Sequence, residues 1–229
     1  MTYVKPTLLN RPPMFHVNDS TEQPMRLLTT APLAYLLDSM RAGTLLHAAF
    51  ARRYFYPATN VCDLLAGLYH GLAPFCITMQ RTQGNSNVHP AKGGEPLLLI
   101  DGKRRLAALL AALYRAPLPD ADRDGDAALQ IAFHPQTEVF RRVRPGARLA
   151  SGWLPDVAAL FKPGANLAEM AHAYCVTNSN ADPNDVHQKL KRVQDIPRRE
   201  IQVTLMSSQF TEKQMAIMFK RMNSRFGKR

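Results

Sequence analysis

The stretch Pro96 to Tyr114, PLLLIDGKRRLAALLAALY, constrains the fold more than any other part of the chain. Four apolar residues, Leu97 to Ile100, are too few for a helix and run into the turn signal Asp101-Gly102, so they predict a buried strand. Beyond the turn, Leu106, Leu109, Leu110 and Leu113 recur at i, i+3, i+4 and i+7, the period of an amphipathic helix. A strand that passes through one tight turn into a helix commits the chain to an α/β layer arrangement.

The flanking segments predict a mixed α/β (α+β) architecture. Leu33, Leu36, Leu37 and Met40 give a helix over 31–43 that stops at Gly43. Residues 60–71 give a second, with Asn60 as cap and Gly71 as stop. Residues 74–80 predict a strand and 81–96 a loop. LQIAFHP and EVFRRV predict two strands that can pair, and WLPDVAALF a strand end running into a short helix. Two helices follow, one capped by Asn166 with Glu169 three residues on, the other with Pro183 in its first turn. REIQVTLMSS predicts a closing strand and TEKQMAIMFKRMNS a last helix capped by Thr211. Residues 1–30, proline-rich and without period, predict an irregular N-terminal arm. Residues 31–229 then form one domain, of which 150–198 can be a helical lobe.

Asp101-Gly102-Lys103-Arg104-Arg105 is the strongest candidate site. A helix start carries unpaired N–H groups and the positive end of the dipole, both of which favour phosphate. Gly102 permits a positive φ and a close backbone approach. Lys103, Arg104 and Arg105 add charge-assisted donors, arginine through a planar fork. Asp101 can accept a ribose hydroxyl, hold a metal or orient a water; it can equally be an N-cap that needs no ligand.

The net charge of +11 and pI of about 9.9 call for an anionic partner, most often nucleic acid. Lys191, Arg192, Arg198 and Arg199 head a basic C-terminal run in which Asp195, Glu200 and Glu212 are the only acids, a pattern suited to tracking phosphates. Arg52-Arg53-Tyr54-Phe55-Tyr56 interleaves charge with rings that can stack on bases or form a core edge.

Other classes lose support. Cys62, Cys76 and Cys175 form no CxxC pair, which fits a reducing cytosol. The seven histidines form no HxxxH arrangement. The acidic loop at 120–126 starts like a calcium loop, but its twelfth position is Ile131 where a glutamate is needed. No GxSxG, Walker A or GxGxxG motif occurs. No secretion signal is expected at the N-terminus, and no apolar run approaches the ~20 residues of a membrane span. A cytoplasmic bacterial protein is the expectation.

Taken in order, these pieces resemble the ParB/sulfiredoxin-like superfamily. Gly102-Lys103-Arg104-Arg105 resembles the GxRR box of the ParB nucleotide-binding fold. With Ile100-Asp101 before it, it is similar to the DGQQR box in the N-terminal domain of GmrSD-type restriction subunits. ARRYFYP resembles that family's QRxYxW segment, and the ending Phe219, Arg221, Met222, Asn223, Ser224 its FxRINS close. There are departures: the two glutamines are Lys103 and Arg104, the first Gln-Arg pair is Arg52-Arg53, Pro57 replaces the tryptophan, and no nuclease domain follows Ser224 in this sequence.

A short chain of this kind is similar to plasmid fertility-inhibition proteins of the Osa and FiwA type. The resemblance implies ATP hydrolysis and DNA cleavage from one domain, directed against another element's conjugative transfer. In that reading Asp101 and Arg105 are catalytic, and Asp101 can hold Mg²⁺. Gly102, Lys103, Arg104, Arg221 and Asn223 contact the nucleotide. Arg52, Arg53, Lys191, Arg192, Arg198 and Arg199 contact DNA. Two alternatives remain open: a non-catalytic, nucleotide-responsive DNA-binding module, and an inhibitor docking on a secretion-system component through 150–198.

Overall fold

Alternating inward residues along five strands build a mixed sheet with helices on both faces. The computed structural model describes residues 26–48, 58–72, 75–81, 97–117, 129–144 and 146–223. In chain order the elements are β1 (Arg26–Pro32), α1 (Leu33–Arg41), β2 (Leu45–His47), α2 (Ala58–Tyr69), β3 (Cys76–Arg81), β4 (Leu97–Asp101) and α3 (Lys103–Tyr114). There follow β5 (Gln130–His134), β6 (Val139–Val143), a 3-10 turn at Val157–Phe161, α4 (Leu167–Thr177), α5 (Pro183–Gln194), β7 (Glu200–Met206) and α6 (Glu212–Asn223).

The sheet order is β1-β7-β3-β4-β2, with β5 and β6 paired antiparallel as a separate ribbon. β7 is antiparallel to β1 and parallel to β3, β3 is antiparallel to β4, and β4 is parallel to β2. One face carries Ile77, Met79, Leu99, Ile201 and Val203 into the main core beneath α1, α2 and α3. The other face offers Ile100 and Met206, which meet Met215 of α6 in a smaller cluster with Ala48. Side chains alternate across a strand, so Leu99 and Ile100 of β4 serve opposite layers.

Local chemistry sets the element ends. Gly43 and Gly71 take positive φ after α1 and α2. Leu72 N–H reaches back to the Gly67 carbonyl at 2.9 Å, a left-handed helix stop that a glycine permits. Asn166 caps α4 by accepting from the N–H groups of Ala168 and Glu169, and Asp182 caps α5 ahead of Pro183. Thr211 caps α6 through the Gln214 N–H.

Two expectations change. β1 starts at Arg26, so the expected arm boundary at residue 30 falls inside a strand. Its inward residues Leu27 and Ala31 are paired to β7, a partner distant in sequence. Ala31 and Pro32 therefore end a strand, and α1 starts at Leu33. α2 begins at Ala58, which puts Asn60 inside the first turn instead of at the cap. In the 150–198 segment the regular elements are all helical, and its Leu167, Tyr174, Val186, Leu190 and Val193 pack into the same core cluster as α2 and α3. The expectations for residues 1–25, the Arg52 to Tyr56 stretch, most of the 81–96 loop and the acidic loop lie outside the described residues.

Candidate functional site

β4 delivers Asp101 to the end of the sheet, and Gly102 turns the chain into α3 with φ +109°. A Cβ at Gly102 would lie 3.1 Å from Ile77 Cγ1, so both the backbone angle and the neighbouring strand require glycine. The first turn of α3 contains no acid, and Gly102 supplies no side-chain cap. Lys103, Arg104 and Arg105 thus place three cations at the end of the helix where the dipole is positive. That costs roughly 0.3–1 kcal/mol per charge unless an anion sits nearby.

Asp101 supplies part of that counter-charge. Arg105 Nη2 donates to Asp101 Oδ2 at 2.7 Å, with both side chains about one-fifth exposed at 23% and 19%. Arg105 Nη1 donates to the Cys76 carbonyl of β3 at 3.0 Å, and its guanidinium lies 5.5 Å from the Phe75 ring centre. Asp101 is therefore not the N-cap; that position belongs to Gly102. The expected catalytic pair is brought together as an ion pair and tied to the neighbouring strand. Lys103 and Arg104 are partly exposed beside it.

α6 approaches the same strand from the other face, packing Met215 against Ile100, the residue before Asp101. Arg221 is exposed in the last turn of α6, and Asn223 is its final residue, whose side chain lies outside the described residues. Gln80 of β3 anchors the approach to α6: its Nε2 donates to the carbonyls of Ser207 at 3.1 Å and Phe210 at 2.8 Å.

The four C-terminal cations expected to contact DNA are engaged within the fold. Lys191 and Arg198 both pair with Asp195, Lys191 at 3.1 Å. Arg192 Nη1 bonds Glu138 Oε2 at 3.2 Å and the Tyr69 hydroxyl at 3.3 Å, and its guanidinium lies 4.9 Å from the Tyr69 ring centre. Arg199 Nη2 donates to the Tyr69 carbonyl at 3.4 Å, while its Nε is buried with no partner. Asp195 and Glu138 therefore neutralise much of what reads in sequence as a free basic face. Arg52 and Arg53 lie outside the described residues.

Sequence reasoning missed the Tyr69–Arg192–Glu138 group, because no spacing links residues 69, 138 and 192. Burial, reinforced by the Glu138 charge, pushes the Tyr69 hydroxyl pKa well above its usual range. Tyr114 is pushed up to about 12, mainly by burial and secondly by Asp38.

Among the described residues no group of three or more His, Cys, Asp or Glu side chains comes together to hold a metal. Asp101, with Oδ2 given to Arg105, fits Mg²⁺ only as a single carboxylate ligand whose shell is completed by phosphate oxygens and water, a common arrangement for that ion. Ile131, the twelfth position of the incomplete calcium loop, is fully buried in β5. No described helix is long and apolar enough to cross a membrane. The chain matches no family model, and no curated protein matches it.

Proposed function

We propose that this chain is a ParB/sulfiredoxin-like nucleotide hydrolase that also cleaves DNA, acting as a fertility-inhibition effector against another element's conjugative transfer. The observation that carries the nucleotide part is the β4–α3 turn. Gly102 at φ +109° leads into an uncapped helix start bearing three cations, with a carboxylate one residue ahead. Backbone N–H groups and fixed cations at such a start suit a phosphate and stabilise charge that develops on it. Lys103 and Arg104 are the donors assigned to the phosphates. Arg105 holds Asp101 in place, and Asp101 orients the attacking water. Mg²⁺, when bound, offsets phosphate charge, with Asp101 as its protein ligand. Arg221 and Asn223, on the helix packed against β4, complete the nucleotide site. DNA cleavage and the conjugation target rest on the resemblance of DGKRR and the FKRMNS ending to that family.

The test is ATP turnover and plasmid nicking by the purified chain, with Mg²⁺ and with EDTA, beside Asp101→Ala. The expected result is Mg²⁺-dependent turnover that Asp101→Ala abolishes. Equal turnover in both proteins would remove Asp101 from the site.

One observation favours a second reading. Arg105 spends its guanidinium on Asp101 and the Cys76 carbonyl, which is also how a purely structural clamp is built. A nucleotide-responsive DNA-binding module without turnover follows from that reading, and it predicts ATP binding with no hydrolysis in the same assay.

A further inference from the structure

One stretch of basic character that survives internal pairing lies on and just after the β5–β6 ribbon. Between Glu138 and Asp156 the chain has no acid and carries Arg141, Arg142, Arg144 and Arg148. Arg142 lies toward α2, where its backbone and its charge both act on the Cys62 thiol. Arg141, Arg144 and Arg148 are exposed and form no ion pair with any described residue. By contrast, Lys191, Arg192 and Arg198 all have carboxylate partners.

Arg141 of this ribbon lies against the chain's single tryptophan. Leu154 exchanges backbone hydrogen bonds with Phe133 at 2.9 and 2.7 Å, which lays Trp153 alongside β5. His134 meets the Trp153 ring at 86° with centres 5.1 Å apart, and the Arg141 guanidinium lies 5.9 Å from the indole centre. Gly152 takes φ +93° directly against His134, where a Cβ would come within 2.7 Å of Nε2. The indole is thus held in place yet partly exposed. Arg144 and Arg148 flank a tight turn closed by the Ala147 N–H to Arg144 carbonyl bond at 3.0 Å. Arg144 follows Val143, the last residue of β6, so it belongs to the turn and not to the face of the strand that carries Arg141.

We propose that this ribbon is a binding surface for single-stranded DNA, with a base stacked on Trp153 and the backbone phosphates met by Arg141, Arg144 and Arg148. An aromatic platform flanked by uncompensated arginines is the arrangement that single strands require. A duplex keeps its base faces inside the stack and unavailable to Trp153. The inference rests on the proposed DNA partner but not on hydrolysis at Asp101.

The single tryptophan makes the test direct. Its emission is followed while the full chain is titrated with an oligothymidylate of about 15 nucleotides. Saturable quenching that salt reverses is expected. Arg144→Ala/Arg148→Ala, which keeps the reporter, should weaken binding roughly tenfold or more at low salt. Its salt slope should be shallower by about 1.4, at ~0.7 per lost phosphate contact. Trp153→Phe should retain most of the affinity measured by anisotropy, and Trp153→Ala should lose it. Oligonucleotide binding without any tryptophan response overturns the proposal. So does equal quenching by a duplex of the same length, or a larger loss in Lys191→Ala/Arg198→Ala than in the ribbon variant. Absence of all DNA binding overturns it together with the DNA part of the proposed function. ATP turnover read on the same samples reports the Asp101 turn separately.

Discussion

Arg105 reaches back one helical turn to Asp101, 2.7 Å away, and with its other nitrogen holds the Cys76 carbonyl of the adjacent strand. One planar fork thus fixes the carboxylate and ties the start of α3 to β3. Lysine keeps the charge but has no fork. Arg105→Lys should therefore lose about 1–2 kcal/mol of stability. ATP turnover should fall further than that loss of folded protein explains. Urea unfolding beside turnover at low temperature checks this; an unchanged unfolding midpoint would show that the fork holds nothing.

Gly102→Ala tests the turn itself. The φ of +109° and the 3.1 Å approach to Ile77 Cγ1 both oppose a side chain. A destabilisation of about 1–3 kcal/mol is expected, since a non-glycine residue there is strained and Ile77 must move. A denaturant titration measures it, and a change below about 0.5 kcal/mol, the range of ordinary surface substitutions, would contradict the geometry.

Gln80 is 7% exposed and supplies both bonds to the Ser207 and Phe210 carbonyls. Gln80→Leu leaves those acceptors without their donor, at a cost of about 1–3 kcal/mol. Hydrogen exchange should then rise first in α6, with the β3 and β7 amides still protected. Uniform acceleration across the sheet would count against a local anchor.

Glu138 combines a positive φ of 58° with ion pairs to Arg192 and Lys189. Alanine loses the pairs and keeps the strain, so Glu138→Ala should cost about 1–2 kcal/mol. Glycine loses the same pairs but relaxes the backbone, recovering about 1 kcal/mol. The two variants should therefore unfold at clearly different urea concentrations, glycine later. Identical midpoints would mean the backbone angle carries no penalty.

Tyr69, Tyr114 and Tyr174 all have hydroxyl pKa values raised, in each case chiefly by burial. A raised folded-state pKa means the native protein keeps protons that the unfolded chain has released. Stability from these groups is full below about pH 10, the unfolded value, and is lost as pH rises toward the folded values. The urea midpoint should fall across that window, and Tyr114→Phe should make the fall shallower. Absorbance titration of the native protein should show a late-ionising subset of the seven tyrosines. A single ionisation of all of them near pH 10 would refute the assignment.

The strand–turn–helix of Leu97 to Tyr114 was legible because its apolar period switches from a continuous run to 3.6 at a glycine. The caps Asn166, Asp182 and Thr211 announce α4, α5 and α6 by side-chain chemistry alone, although Asp182 was read only through Pro183 beside it. β1 was hidden because its seven residues begin in a proline-rich arm and gain a partner only at β7. The candidate site was half legible. Asp101 and the cations could be read off, but their mutual pairing could not, since i and i+4 residues meet only once the helix begins at Lys103. The C-terminal basic run misled for the opposite reason: Glu138, which neutralises part of it, lies more than fifty positions upstream.

The order of the strands bears on when this chain can fold. β7 stands between β1 and β3, yet it is the last of the described strands to leave the ribosome. Among the described strands, β1 has no neighbour and β3 has only β4 until residue 206 has emerged. Synthesis at roughly 5–20 residues per second leaves β1 waiting on the order of ten seconds or more for its mate. Its open edge and the exposed Leu28 are then available to other nascent chains. A stalled-ribosome series should show protease resistance appearing in one step after Met206 clears the tunnel, and crowding on polysomes should make this the period of greatest aggregation.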